Sequence, residues 1–356
     1  MNGRRWGPLK RSPKRPPKRL YATDLGGPVT RNDNALELAS AVVPRGAELF
    51  RRVSLYDGYL AEVVRRPGYR AGDTLRLMLP FLLAHGLDDA RMRELSAEGI
   101  LLVPRAGEAL RELAAAAPVY LVSGSYSPYV HAVCAALGLD AGRAFCTRVG
   151  LAAHRMAPDE AEQVRAMADT ILRREPIAVP EGARGPSDLG ERDRATVREL
   201  DYLFWERIPR MRAGRVLDEV RCMRGPEKAL AVRAACEREG ATMCEAMYVG
   251  DSITDVDAFR LVHRDGGLTV SFNGNRWAVR EADVAIVADR ADAVLGIARE
   301  FLGGGHDAVK ALRWPLAGDG WTAHWVHGSD IRELVERSEA KRKQVRGEAL
   351  GAPGRT

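Results

Sequence analysis

Short, continuous apolar runs along this chain end abruptly in glycine, serine or aspartate, and longer amphipathic stretches separate them. The runs are Arg19-Leu20-Tyr21-Ala22-Thr23, Pro118-Val119-Tyr120-Leu121-Val122, Met247-Tyr248-Val249-Gly250 and Val284-Ala285-Ile286-Val287, and Leu268-Thr269-Val270-Ser271-Phe272 adds a strand in which Thr and Ser alternate with apolar residues. Runs that are apolar at successive positions, rather than alternate ones, predict strands buried on both faces, as in a parallel sheet. Phe145-Cys146-Thr147-Arg148-Val149 predicts a further strand. Between the runs, apolar residues recur at helical spacing: Val130, Val133 and Leu137 precede a stop near Gly138, and residues 228–239 form another such stretch. Strands alternating with helices predict an α/β fold on a doubly wound parallel sheet.

Two stretches interrupt this alternation. Residues 32–100 carry a helical pattern through Leu36, Leu38, Ala39, Val42 and Val43, then Leu49, Phe50 and Val53, then Leu75, Leu77, Met78 and Phe81. Residues 151–222 hold two helical stretches, 159–174 and 192–211, joined by a Pro/Gly-rich loop at 175–190. The chain therefore divides into a core (20–31, 101–150 and 223–302), helical insertions at 32–100 and 151–222, and a C-terminal extension at 303–356. In that extension Trp314, Trp321 and Trp325 fall in a loop-rich stretch, and 330–346 reads as a charged amphipathic helix with Ile331, Leu334 and Val335 on one side. Aromatics beside charge suit a partner surface, or a tail folded back on the protein's own body, which is the commoner outcome.

Composition narrows the classes. A hydrophobic fraction of 46% with 29% charge over 356 residues is that of a globular protein with one core plus an elaboration, or with two domains. No run approaches 18 apolar residues, and the basic start lacks the apolar stretch of a secretory signal, so a cytoplasmic protein with no membrane partner is expected. Five scattered cysteines without a C-x-x-C pair suit reduced thiols. His324 and His327 read as surface chemistry. The net charge of +6 resides in residues 1–19, a basic Pro-rich tail expected to be disordered. Setting its eight Lys and Arg aside leaves 46 basic side chains against 48 acidic, so the body is not built for nucleic acid.

Candidate chemistry sits where the apolar runs end. Gly250-Asp251-Ser252-Ile253-Thr254-Asp255 follows one strand at its carboxyl end, where open parallel sheets bind ligands. Asp251 and Asp255 suit a hard cation such as Mg²⁺, or else Asp255 is an ordinary helix N-cap. Asp24 ends the first strand ahead of Leu25-Gly26-Gly27-Pro28, a tight loop of little side-chain bulk. Ser123-Gly124-Ser125 ends the second core strand at a helix start, a place for an anion or simply for a serine cap. Lys228 taken alone is a surface lysine.

In order, Asp24, Ser123, Lys228 and the Gly250-Asp251…Asp255 turn resemble the four motifs of the haloacid dehalogenase (HAD) superfamily, over about residues 20–300 apart from the insertions. Ser271-Phe272-Asn273-Gly274 also resembles that family's closing strand. The resemblance implies a hydrolase acting on a small phosphorylated metabolite through an aspartyl-phosphate. Asp24 would be the nucleophile, Ser123 and Gly124 with Lys228 would bind the phosphoryl group, and Mg²⁺ would be held by Asp24, the Gly26 carbonyl, Asp251 and Asp255. The insertions would be caps that exclude water and select the substrate. One departure stands out: most family phosphatases carry a second Asp two residues after the nucleophile, and here that residue is Gly26. General acid–base help is worth roughly 10²–10⁴-fold, so Asp33 stands as a replacement, or the leaving group needs little protonation, as in phosphonate-cleaving members. The segment 32–35 and residues 338–347 also resemble archaeal HAD-like proteins known as subunit R of an energy-converting hydrogenase A, which keeps open a binding or complex-subunit role without catalysis.

Overall fold

A computed structural model describes residues 18–347. The basic tail therefore lies outside the described residues except for Lys18 and Arg19, and Arg19 is tied down: its guanidinium donates to the carbonyls of Leu302 and Gly303 at 2.8 and 3.0 Å.

The core is one eight-stranded sheet. Its strands are β1 (Leu20–Thr23), β2 (Val119–Tyr126), β3 (Ala144–Thr147), β4 (Ala246–Gly250), β5 (Leu268–Phe272), β6 (Val284–Ala288), β7 (Leu316–Gly318) and β8 (Trp321–Trp325), in the order β3-β2-β1-β4-β5-β6-β8-β7. Every pairing among β1 to β6 is parallel. Successive residues enter opposite apolar layers: Tyr21, Met247 and Val249 go to one, and Leu20, Ala22, Ala246 and Tyr248 to the other. Both faces being covered is why the runs read as continuous, and each buried Leu or Val contributes roughly 1.5–3 kcal/mol.

The helices of the first insertion include Asn34–Val42, Gly46–Gly58, Thr74–Ala84 and Asp89–Glu98, and those of the second Pro158–Arg173 and Glu191–Tyr202. They pack against each other around one apolar cluster that joins Leu49, Met78 and Phe81 to Val164, Ile171, Leu200 and Phe204. The Tyr56 and Phe204 rings stack at 5.8 Å across the two. Asn32 pins the hinge into the first insertion, donating to Gly99 O and Glu37 Oε2 and accepting from Leu101 N and Tyr129 Oη.

The tryptophan stretch is not a loop. Trp321 and Trp325 lie on β8, which pairs antiparallel with β6 and forms a hairpin with β7. Its period-two pattern, Trp321-Ala323-Trp325, is interrupted by Thr322 and His324 and flanked by Gly320 and Gly328, which disguised it. The helix Ile331–Arg346, capped by Asp330, then folds back on the core, burying Leu334 near Val279, Val287 and Val326. Among the described residues no helix is long and apolar enough to cross a membrane.

Candidate active site

Strand register brings the predicted residues to one place. Thr23 on β1 pairs with Leu121 on β2 and with Val249 on β4, so Asp24 and Asp251 follow the ends of two neighbouring strands, while Ser123 lies beside them within β2, which runs on to Tyr126 instead of ending at Ser123 as expected. The Asp24 N–H donates to Val249 O at 2.8 Å, which locks the two acidic ends side by side. Carboxylate oxygens of Asp24, Asp251 and Asp255 all lie within 4.8 Å of one another, and all three side chains are buried. Gly27 makes this approach possible: at φ +107° its backbone lies so close to Asp251 that a Cβ would fall 2.1 Å from Oδ2.

Lys228, on the helix Gly225–Glu239, brings a cation into this cluster. Its Nζ donates to Asp24 Oδ2 at 2.7 Å and to Asp255 Oδ1 at 2.8 Å, and the residue is 1% exposed. A lysine this buried persists only when paired. Burial pushes the Asp24 carboxyl up to about 7; Lys228 opposes this, while Asp255 and Asp251 add to it. Asp255 is buried too, yet sits below its ordinary value, because the Lys228 charge and hydrogen bonds from Lys228, Tyr248 and the Asp251 N–H outweigh desolvation. Asp255 Oδ2 also accepts from the Ser252 N–H and hydroxyl. Both its oxygens are thus engaged by donors, and it organises the turn rather than facing an open site.

The other predicted residues have definite partners. Ser123 is buried, and its Oγ accepts from Ser125 N at 3.1 Å; the Gly124 carbonyl accepts from Thr147 Oγ1 at 2.6 Å. A Cβ on Gly26 would meet Arg346 Nη2 at 3.5 Å, an ordinary contact. Asp33 caps the helix Asn34–Val42 through Oδ1, and burial raises its carboxyl while Arg346 acts against the rise. The first insertion reaches the acidic turn: Gly72 faces Thr254, and Asp73 pairs with Arg224.

The sequence reading missed two arginines. Arg342 and Arg346, on the C-terminal helix, both donate to Asp251 Oδ2, Arg346 at 2.7 Å, and Arg342 also donates to the Asp251 carbonyl at 2.8 Å. The signal was present as Ser338, Arg342 and Arg346, which share one helix face at four-residue spacing. Ser338 Oγ donates to Gly274 O at 2.7 Å on that same face. Three carboxylates thus meet three cations, Lys228, Arg342 and Arg346. The donor set of Asp24 and Asp251 suits a hard divalent cation in kind, although here one Asp251 oxygen is committed to guanidinium. Elsewhere, the fold brings His327 beside His263 and the buried Asp283, a neighbouring carboxylate that sequence spacing did not disclose.

No family model and no curated protein matches this chain. Among solved structures it is similar to the gene product AF1437 from Archaeoglobus fulgidus, at 28% identity and a TM-score of 0.82, over 95% of this chain and 100% of that one. A phosphoserine phosphatase in apo form matches at 16% identity and a TM-score of 0.47, over 78% of this chain and 98% of its own. A HAD family hydrolase from Salmonella enterica matches at 10% identity and 0.40, over 72% and 62%. The chain's own strand order is that of an open, mostly parallel α/β sheet that brings Asp24, Asp251 and Asp255 together at its carboxyl edge, the arrangement that the resemblance to the haloacid dehalogenase superfamily implies.

Proposed function

We propose that this protein is a phosphohydrolase that forms an aspartyl-phosphate on Asp24. The observation that carries the reading is the buried Asp24–Lys228–Asp255 network beside Asp251, at the carboxyl edge of a parallel sheet. Holding a carboxylate, a lysine and a serine at one strand edge suits phosphoryl transfer, where catalysis is largely positioning and charge neutralisation. An Asp24 carboxylate oxygen attacks phosphorus as the bond to the leaving oxygen breaks. Lys228 holds Asp24 and offers its charge to the phosphoryl oxygens, and Ser123 hydrogen-bonds one of them. The leaving oxygen takes its proton from water or from Asp33. Water then attacks phosphorus, the new phosphorus–oxygen bond forming as the Asp24 oxygen–phosphorus bond breaks, which restores the Asp24 carboxylate, and the proton of the attacking water leaves with the phosphate or to solvent. Asp24, Asp251 and the Gly26 carbonyl would hold Mg²⁺, which supplies Lewis-acid neutralisation of phosphate charge. The packed insertions, leaning on the acidic turn through Gly72 and on Arg224 ahead of the Lys228 helix through Asp73, favour a small substrate.

Phosphate release from a panel of phosphate esters, acyl phosphates and phosphonates tests this reading. Asp24→Asn abolishes release from any accepted substrate; activity equal to wild type refutes the nucleophile. Gly26→Asp, which the backbone tolerates without strain, raises ester turnover by about 10²-fold. Ester turnover confined to that variant would mark a site that has lost its acid.

A further inference from the structure

Arg342 and Arg346 sit in the candidate site, yet they come from a helix outside the core strands. We infer that this helix is a built-in competitor for the cation site: its two guanidiniums and a divalent cation are alternative partners of Asp251. The inference rests on the proposed reading of Asp24 and Asp251 as cation ligands.

Charge balance is the first observation. The three buried carboxylates are matched one for one by Lys228, Arg342 and Arg346. A divalent cation added to this arrangement would bring two further positive charges against guanidiniums in a water-poor setting, where like charges repel strongly. Geometry is the second. Both guanidiniums converge on the same Asp251 oxygen, Arg342 also holds the Asp251 carbonyl, and Arg346 lies over the Gly26 backbone. A cation using that oxygen needs the arginines displaced.

The helix is attached in a way that allows displacement. Its first half is held by apolar contact, with Ile331, Leu334 and Val335 packed near Val279, Val287 and Val326. Its second half is held mainly by charge and hydrogen bonds: Lys341 to Asp289, the two arginines to Asp251, and Arg346 Nε to Arg31 O at 3.4 Å, with Val345 alone adding a partly buried apolar contact. Arg342 Nε is buried with no acceptor, so this guanidinium is not fully satisfied where it lies. Withdrawing the last turns breaks polar contacts that water and counter-ions replace and leaves the apolar anchor in place. Loading the site then becomes a contest between the cation concentration and the docked helix.

The test uses the full chain and Mg²⁺ alone, without substrate. Isothermal titration compares wild type with the double variants Arg342→Gln/Arg346→Gln and Arg342→Lys/Arg346→Lys, and hydrogen exchange follows residues 331–346 of wild type with and without Mg²⁺. The Gln pair should bind Mg²⁺ at least 10-fold more tightly, the Lys pair should stay nearer wild type, and Mg²⁺ should speed exchange in the last two turns while residues 331–337 keep their protection. Equal or weaker Mg²⁺ binding by a natively folded Gln pair overturns the inference, as does wild-type binding that leaves the exchange of the last turns unchanged. The exchange result stands even if the Gln pair fails to fold. Wild-type binding with the helix in place sinks only the competition, whereas no binding by any variant at millimolar Mg²⁺ sinks the cation reading as well.

Discussion

Two carboxylates are equally buried in this molecule and are kept there by opposite means. Asp57, in the helical insertion, accepts only from neutral donors: Tyr69 Oη at 2.7 Å, Thr74 Oγ1 at 2.8 Å and the Gly72 N–H at 3.0 Å. Asp255, in the core, accepts from Tyr248 Oη and backbone N–H groups as well, but also from the Lys228 ammonium. The Asp57 carboxyl is pushed up to about 6, with burial the largest cause, whereas Asp255 is held below its ordinary value. Neutral donors fill lone pairs without cancelling the charge that desolvation penalises. A region whose acid has only such donors is built to hold a loop in shape, and Asp57 does so for the turn that carries Gly72 towards Thr254. In the core the Lys228 ammonium keeps Asp255 below its ordinary value, whereas Asp24, which shares that ammonium but is buried facing two further carboxylates, still rises to about 7.

The largest expected effect tests the second half of that contrast. Lys228→Met leaves Asp24 and Asp255 facing each other without their ammonium, and should cost about 3–5 kcal/mol in urea unfolding. A loss below 1 kcal/mol would break the comparison. Asp57→Asn turns one acceptor into a donor facing donors and should cost about 1–3 kcal/mol. It also alters the pH dependence. A folded value near 6 against an ordinary 3.8 means that the contribution of Asp57 is complete below the ordinary value and is lost as pH rises through about 6. Stability of wild type therefore falls across that window, and the Asn variant should fall less. Thr74→Val, the smallest effect, removes one neutral donor for about 1 kcal/mol and should push the Asp57 titration, followed by NMR, further upward.

Much of the architecture was legible because it is written locally. Leu20 to Ala22 and Met247 to Val249 are apolar at successive positions, the pattern of a strand buried on both faces. Lys228 shows where order mattered more than composition. As a single residue it looked like surface, and its place between Ser123 and Asp251 pointed inward, where its Nζ contacts two acids. Other features were illegible for physical reasons. The insertions show helical stripes, but nothing in either stripe says that Phe204 will stack on Tyr56 of the other. β8 is as long as β4, but Thr322 and His324 alternate with its apolar residues and Gly320 and Gly328 flank it, so its composition matches that of the turns around it.

The chain by itself determined that β1 and β4 end where Asp24 and Asp251 begin, because strand burial and turn chemistry depend on near neighbours. Only the tertiary structure decided that Asp251 would meet Arg342, 91 positions away. A helix rich in Lys, Arg and Glu has the same composition whether its arginines face water or a buried carboxylate. What separates the two is the docking of Leu334 and Ser338 on the core, which sets the helix's rotation and so aims the arginines inward.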